Sequence, residues 1–344
     1  MSAPSGSLVS SVLREYGEAT RTVLFEYLPS GEPRRYLYDL LGDYPRRGGR
    51  AFRPSLCIAT ARAMGAPAEL ALRTAASIEL IHNAMLIHDD IEDESEQRRG
   101  QPALHVAHGV PIAINAGDML SLVSLRPLLD NRAWLGPDVS LRILEETERM
   151  ARESAEGQAF ELGWRRDNVN DVTESDYLLM VLKKTCWLAT IHPSRMGALI
   201  GSRGAFDLDR CIRFGFFLGA AFQIQDDLLN LEGDAAAYGK ELAGDIREGK
   251  RTLMLIGLIA KASPGERARL HAMLGQTREQ RSDEDVAWVL DRMRFYGCLE
   301  YARQVANGLG GAAQHEFQEL YGSLPDSRDK RFLEALPVWV IERN

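Results

Sequence analysis

Phe222-Gln223-Ile224-Gln225-Asp226-Asp227-Leu228-Leu229-Asn230 closes an apolar stretch over 209–231, and its polar residues Gln223, Asp226, Asp227 and Asn230 fall at i, i+3, i+4 and i+7. That spacing draws one polar stripe along an otherwise apolar helix. Burying paired carboxylates near Phe214, Phe216, Phe217 and Leu218 costs several kcal/mol unless a cation or hydrogen-bond donors compensate, so a metal site is the economical reading. The same helical period recurs over 72–93, 142–162, 174–200, 251–262 and 283–309, whereas strand-type alternation is scarce. Helices this long need one another to cover their apolar faces, which predicts an all-α bundle. The breaks at 29–33, 65–67, 100–111 and 324–329 are short, and neither a repeat nor a long linker intervenes, so 1–344 reads as a single domain.

Composition narrows the class. Of 344 residues, 45% are hydrophobic and 26% charged, as in an ordinary globular chain. Forty-one Lys and Arg against 49 Asp and Glu leave a net charge of −8, the wrong sign for gripping nucleic acid through bulk electrostatics. Cys57, Cys186, Cys211 and Cys298 are scattered, which suggests reduced thiols in a cytoplasm rather than a zinc clip or redox pair. Unbroken apolar runs such as 214–224 and 253–260 fall short of the roughly 18 residues of a membrane span, so no transmembrane segment is expected. Residues 1–10 lack the features of a signal peptide.

A second acidic constellation lies at 89–96, where six of eight residues are Asp or Glu, followed by Arg98 and Arg99. His82, Met85, Asp89 and Asp93 stand at helical steps on one face. Two carboxylates one turn apart suit Mg²⁺, which takes oxygen ligands and is usually completed by substrate phosphate. An acidic run is more often a solvated helix end, but the preceding Ala84-Met85-Leu86-Ile87 is apolar. Two basic segments add anion-binding potential: Arg46-Arg47-Gly48-Gly49-Arg50-Ala51-Phe52-Arg53-Pro54, and the glycine-punctuated 239–252 with Lys240 and Lys250. Arginine's forked donors match diphosphate oxygens, and a glycine-rich loop at a helix start can close over an anion.

Taken in order, Gly48-Gly49-Arg50-Ala51-Phe52-Arg53-Pro54, Asp89-Asp90-Ile91-Glu92-Asp93 with Arg98-Arg99-Gly100, Gln223-Ile224-Gln225-Asp226-Asp227, and 240–252 resemble the motifs of the trans-isoprenyl diphosphate synthases, or polyprenyl synthetases. The resemblance runs from about 40 to 255 and includes the pair Lys184-Thr185. It implies an isoprenoid-synthase helical bundle around a central active-site cavity, usually a homodimer, that condenses isopentenyl diphosphate with an allylic diphosphate. By that analogy Asp89, Asp93 and Asp226, with Asp90 and Asp227 as ligands or orienters, hold three Mg²⁺ ions. Arg98, Lys184, Lys240 and Lys250 then supply cations to the allylic diphosphate. Gly49, Arg50, Arg53, His82 and Arg99 hold the second diphosphate, Thr185 and Gln223 steady the cationic intermediate, and His88 is structural. Two departures stand out: Arg50-Ala51 replaces the family's Lys-Arg, and Asn230 replaces a terminal Asp. The 338–344 segment offers Arg343 as its one diphosphate-binding cation.

Product length in such proteins depends on bulk just upstream of the first acidic motif, here Ala84 and Met85, with Ile81 and 119–123 as candidates for a deeper floor. Without an aromatic plug at Ala84, geranylgeranyl diphosphate is the favoured product, with farnesyl or C25 and longer products as alternatives. A class I terpene cyclase fits less well, because Asn170-Asp171 is followed by Glu174 and Leu178 where a hydroxyl and an acid belong. A silent regulatory subunit would lose carboxylates that are retained here. An HD-type phosphohydrolase would need more metal-binding histidines than seven scattered ones supply.

Overall fold

The computed structural model describes residues 5–233 and 242–343. Helix α1 (Ser5–Tyr27) leads through short turns to α2 (Phe52–Ala63), α3 (Ala68–Glu92) and α4 (Val110–Val123). A two-residue antiparallel pair, Gln97–Arg98 with Gln101–Pro102, turns the chain between α3 and α4. Then follow α5 (Pro137–Arg166), α6 (Glu174–Val181), α7 (His192–Gly201), α8 (Cys211–Glu232), α9 (Leu253–Lys261), α10 (Pro264–Leu274), α11 (Asp283–Phe295), α12 (Cys298–Tyr321) and α13 (Arg328–Glu342). The all-α expectation is met. The periodic stretch 283–309 is not one helix, however: Gly297 adopts φ 67°, a left-handed conformation that stops α11 and starts α12.

Between α6 and α7 the chain is π-helical over Leu182–Ile191, a wider winding often found at functional sites. This stretch carries Lys184 and Thr185 and is gripped by α5 on one side and α8 on the other. Gly157 on α5 makes the first contact possible, since a Cβ there would sit 2.6 Å from the Cα of Lys184. A capping box between Thr173 and Asp176 fixes the start of α6, and the Thr252 hydroxyl accepts from the Leu255 amide to start α9. Thr252 itself lines the central cavity, and the first cap fixes the start of the helix that brings Tyr177 to it.

Three apolar clusters hold the bundle. One joins α1, α2, α7, α12 and α13; another packs the π-helical stretch against α8, α9 and α11; the third packs α3 against α4. Ala68–Glu92 and Val110–Leu135 are long and apolar enough, by length and composition, to cross a membrane, which the count of unbroken apolar runs did not anticipate. Scattered polar residues interrupt the runs without lowering the average hydropathy. In α3 that apolar character is explained by burial, because 61% of the stretch lies inside the bundle.

Candidate active site

A cavity of about 660 Å³ lies between α3, α5, the π-helical stretch and α8, and both acidic motifs reach it. Asp89 lines it from the last turn of α3, and Asp226 and Asp227 line it from α8. Helical steps of four place Met85 beside Asp89, while the stripe read from 223–230 turns Gln223 and Asp227 the same way. The Thr185 hydroxyl donates to Gln223 Oε1 (2.8 Å), the Gln223 amide donates to Asp227 Oδ1 (2.7 Å), and the Tyr177 hydroxyl donates to Asp227 Oδ2 (2.8 Å). Even so, burial pushes the Asp227 carboxyl well above its usual range, and the neighbouring charge of Asp245 adds to the shift.

The oxygen-only donor set of Asp89, Asp226, Asp227 and Asp245 fits Mg²⁺, and a divalent cation would remove the mutual repulsion that Asp227 reports. Among the described residues no three acidic, His or Cys side chains are gathered closely enough to hold a metal ion by themselves. Mg²⁺ keeps several waters and usually takes further oxygens from substrate phosphate. Asp93 is engaged differently. Arg165 Nη1 stands 2.5 Å from one oxygen and Lys250 Nζ 2.7 Å from the other. Burial works against its charge, yet these cations hold the carboxyl below its usual range.

The cations form two groups. Lys184 Nζ lies 3.4 Å from Asp89 and 3.1 Å from Glu161. Burial opposes charge on Lys184, but Glu161 and Asp89 outweigh it and raise its pKa, so the ammonium persists at neutral pH. Lys250 reaches Glu248 at 2.7 Å as well as Asp93. On the other side, Arg53, Arg98 and Arg99 surround His82. Burial and then the charge of Arg53 drive the His82 pKa well below normal, so the ring stays neutral. Arg53 Nη1 donates to His82 Nε2 across 3.4 Å, which leaves the ring's proton on Nδ1 because a guanidinium can only donate. Burial lowers Arg53 itself to about 10. Arg98 is paired with Asp90 and lies 3.7 Å from Asp89, but Arg53 and Arg99 beside a neutral imidazole make a receptor for an anion with several oxygens.

Several sequence assignments need correction. Asp90 does not face the cavity: it is fully buried, bonded by Arg98 through both oxygens and by the Tyr44 hydroxyl at 2.6 Å. One residue is a rotation of about 100° on a helix, which takes Asp90 away from Asp89 and makes it the anchor of Arg98 rather than a metal ligand. For the same reason Ala84 is fully buried among Leu80, Ile87 and Leu120 on the α4 side, while Met85 lines the cavity. Gly49 and Arg50 are exposed and lie outside the lining; Arg50 stacks over Trp339. Lys240 lies outside the described residues. His88, read as structural, borders the cavity and reaches Asp118 of α4 at 3.3 Å.

Sequence reading missed Tyr177, Glu161, Arg165 and Asp245. Glu161 sits one turn from Gly157, and both of its oxygens lie within ion-pair reach of lysines, Lys184 and Lys250. Gly157 and Glu161 on a shared helical face would have pointed to that wall, whereas Tyr177 carries no signal beyond an aromatic residue on a core helix.

The polyprenyl synthetase family model matches residues 34–293. A short chain isoprenyl diphosphate synthase from Methanothermobacter thermautotrophicus is 35% identical, with 97% of this chain and 98% of that one covered. Other relatives are named geranylgeranyl, geranylfarnesyl and octaprenyl diphosphate synthases. Among solved structures, a geranylgeranyl pyrophosphate synthetase from Pyrococcus horikoshii superimposes with a TM-score of 0.85 at 31% identity, over 98% of this chain and 99% of that one. A geranylgeranyl pyrophosphate synthase from Corynebacterium glutamicum, complexed with isoprenyl diphosphate and magnesium, gives 0.81 at 27% identity over 99% of each chain.

Proposed function

The chain belongs to the polyprenyl synthetase family and is a prenyltransferase, and we propose that it joins isopentenyl diphosphate to an allylic diphosphate to make geranylgeranyl diphosphate, with three Mg²⁺ ions per site. One observation carries this reading: a single cavity has carboxylates and lysines on one wall, an arginine–histidine corner on another, and apolar side chains beyond them. When bound, Mg²⁺ would supply positive charge to the oxygens of the leaving diphosphate. Asp89, Asp226 and Asp227 would hold it, and the Corynebacterium protein's complex with magnesium supports the choice of ion.

The rest of the chemistry rests on this chain's own side chains. Lys184, Lys250 and Arg98 bind the allylic diphosphate and stabilise charge growing on it as the carbon–oxygen bond breaks. Arg53, Arg99 and His82 orient the second diphosphate. The double bond of isopentenyl diphosphate then attacks the allylic cation, and the proton lost from the adduct passes to the departing diphosphate. Thr185 and Gln223 present oxygen dipoles toward that cation. With Asp227 fixed by Tyr177 and Gln223, these dipoles are oriented before substrate arrives.

The tail would run past Met85, Ser154 and Leu188, each one turn from a polar residue of the catalytic end. None is aromatic, which supports a product longer than farnesyl, and the buried Ile81 and Met150 close the next turn. Replacing Met85 with Phe should shorten the main alcohol recovered after dephosphorylation, as read by chromatography. An unchanged product would show that the tail takes another path. Exposed Leu122, Leu125, Leu129 and Leu141 are apolar surface that supports a homodimer, and four buried, unpaired cysteines support a reducing, cytoplasmic setting.

A further inference from the structure

Arg343, just beyond α13, lies against the second acidic motif. Its Nη2 donates to Asp226 Oδ1 at 3.2 Å and to the Phe222 carbonyl at 2.8 Å, and its guanidinium stacks 3.7 Å over the Phe222 ring. The side chain is only 4% exposed, so this charge is largely removed from water. Phe222 stacks on Phe52, which stacks on Trp339 of α13, so the segment is tied to α8 by an aromatic ladder. The Arg343 amide bonds to the Trp339 carbonyl, and the Gln225 side chain donates to the Arg343 carbonyl at 3.3 Å.

We propose that Arg343 is a positioning residue, a displaceable counter-cation of Asp226 that sets how strongly the second acidic motif binds a divalent ion. This rests on the reading of Asp226 as a metal-facing carboxylate. A guanidinium bonded to one oxygen keeps that carboxylate compensated and oriented in the substrate-free protein. A divalent ion arriving at the 40%-exposed Asp226 meets this positive charge within a few ångströms, and the burial of Arg343 keeps water from screening it fully. It must displace Arg343 or bind against its repulsion. Where the ion displaces Arg343, the end of α13 loosens and its amide exchange reports the state of the site.

The test uses the full chain without substrate. Mn²⁺, which shares the preference of Mg²⁺ for oxygen ligands, is titrated and the free ion is read by electron paramagnetic resonance. Arg343→Gln keeps a side-chain donor and removes the charge; it should bind the ion about fivefold more tightly or better, while Arg343→Lys should stay within about twofold of the parent protein. Equal or weaker binding by Arg343→Gln overturns the proposal, as does tightening of the same size in Arg343→Lys, because shape rather than charge would then be responsible. Asp226→Asn separates the two layers. If the parent protein binds Mn²⁺ and Asp226→Asn binds equally well, the metal-facing reading of Asp226 fails and the proposal fails with it. Amide hydrogen exchange over 338–343 gives an independent readout: added Mg²⁺ should speed it in the parent protein, and slower or unchanged exchange contradicts displacement.

Discussion

Replacing Gly157 with Ala adds one methyl group on the helix that supports Lys184 and Thr185. An added Cβ would lie 2.6 Å from the Lys184 Cα and 2.8 Å from the Lys183 carbonyl carbon, and nearer still to the Lys184 amide nitrogen. All three are backbone atoms, so no side-chain rotation relieves the clash. Ordinary contacts begin near 3.4 Å, so α5 and the π-helical stretch must separate by about 1 Å. Overpacking of this kind costs about 1–3 kcal/mol of stability, which the bundle should survive. Catalysis should suffer more, because misplacing reacting groups by about 1 Å can cost about a hundredfold in rate. Lys184 and Thr185 move together, so both diphosphate contact and the dipole relay through Gln223 are disturbed. Steady-state turnover with saturating substrates, alongside thermal denaturation, separates the two effects. A folded Gly157→Ala protein with turnover within about threefold of the parent would refute the claim that this close approach positions the lysine.

The buried ion pair and the buried imidazole give further tests. Asp90→Asn should remove the buried charge partner of Arg98, leaving only Asp89 at 3.7 Å, and cost about 3–5 kcal/mol in denaturant unfolding, while Mn²⁺ affinity of the folded fraction stays near that of the parent; a selective loss of metal binding would instead restore Asp90 as a ligand. His192 is buried beside Arg195, and burial, aided by that charge, lowers its pKa from 6.5 to about 3. Protonation thus favours the unfolded chain, so the contribution of His192 is fully present above about 6.5 and is lost as pH falls toward 3. The stability advantage of the parent over His192→Gln should shrink by about 2 kcal/mol between pH 6.5 and 5, and a pH-independent difference would contradict burial of the neutral ring.

The helical architecture was legible because its signal is local: the period of apolar residues survives in any window of α3, α5 or α8. The two acidic motifs were legible for a related reason, since carboxylates beside Ala84–Ile87 or Phe214–Leu218 violate the apolar pattern and need an explanation. Which carboxylate faces the cavity was harder to read. Asp89 and Asp90 are adjacent and chemically alike, and only the Arg98–Tyr44 pocket separates a cavity-facing group from an anchor. Ala84 and Met85 pose the same problem, resolved by the side on which α4 packs. Glu161, Arg165 and Tyr177 entered the site through tertiary contacts 23 to 72 residues away in sequence, as in the Lys184–Glu161, Arg165–Asp93 and Tyr177–Asp227 bonds. The break at Gly297 hid within an apolar pattern that continues on both sides, because periodicity does not record a left-handed residue.

The central claim is that this cavity lengthens an allylic diphosphate by isoprene units. Purified protein with Mg²⁺ and radiolabelled isopentenyl diphosphate should be given dimethylallyl, geranyl or farnesyl diphosphate in turn, with Asp89→Ala as the paired control. Label appearing in geranylgeraniol after dephosphorylation, and nearly abolished in Asp89→Ala, is the predicted result. No labelled prenyl alcohol with any primer, or undiminished synthesis by Asp89→Ala, would contradict it.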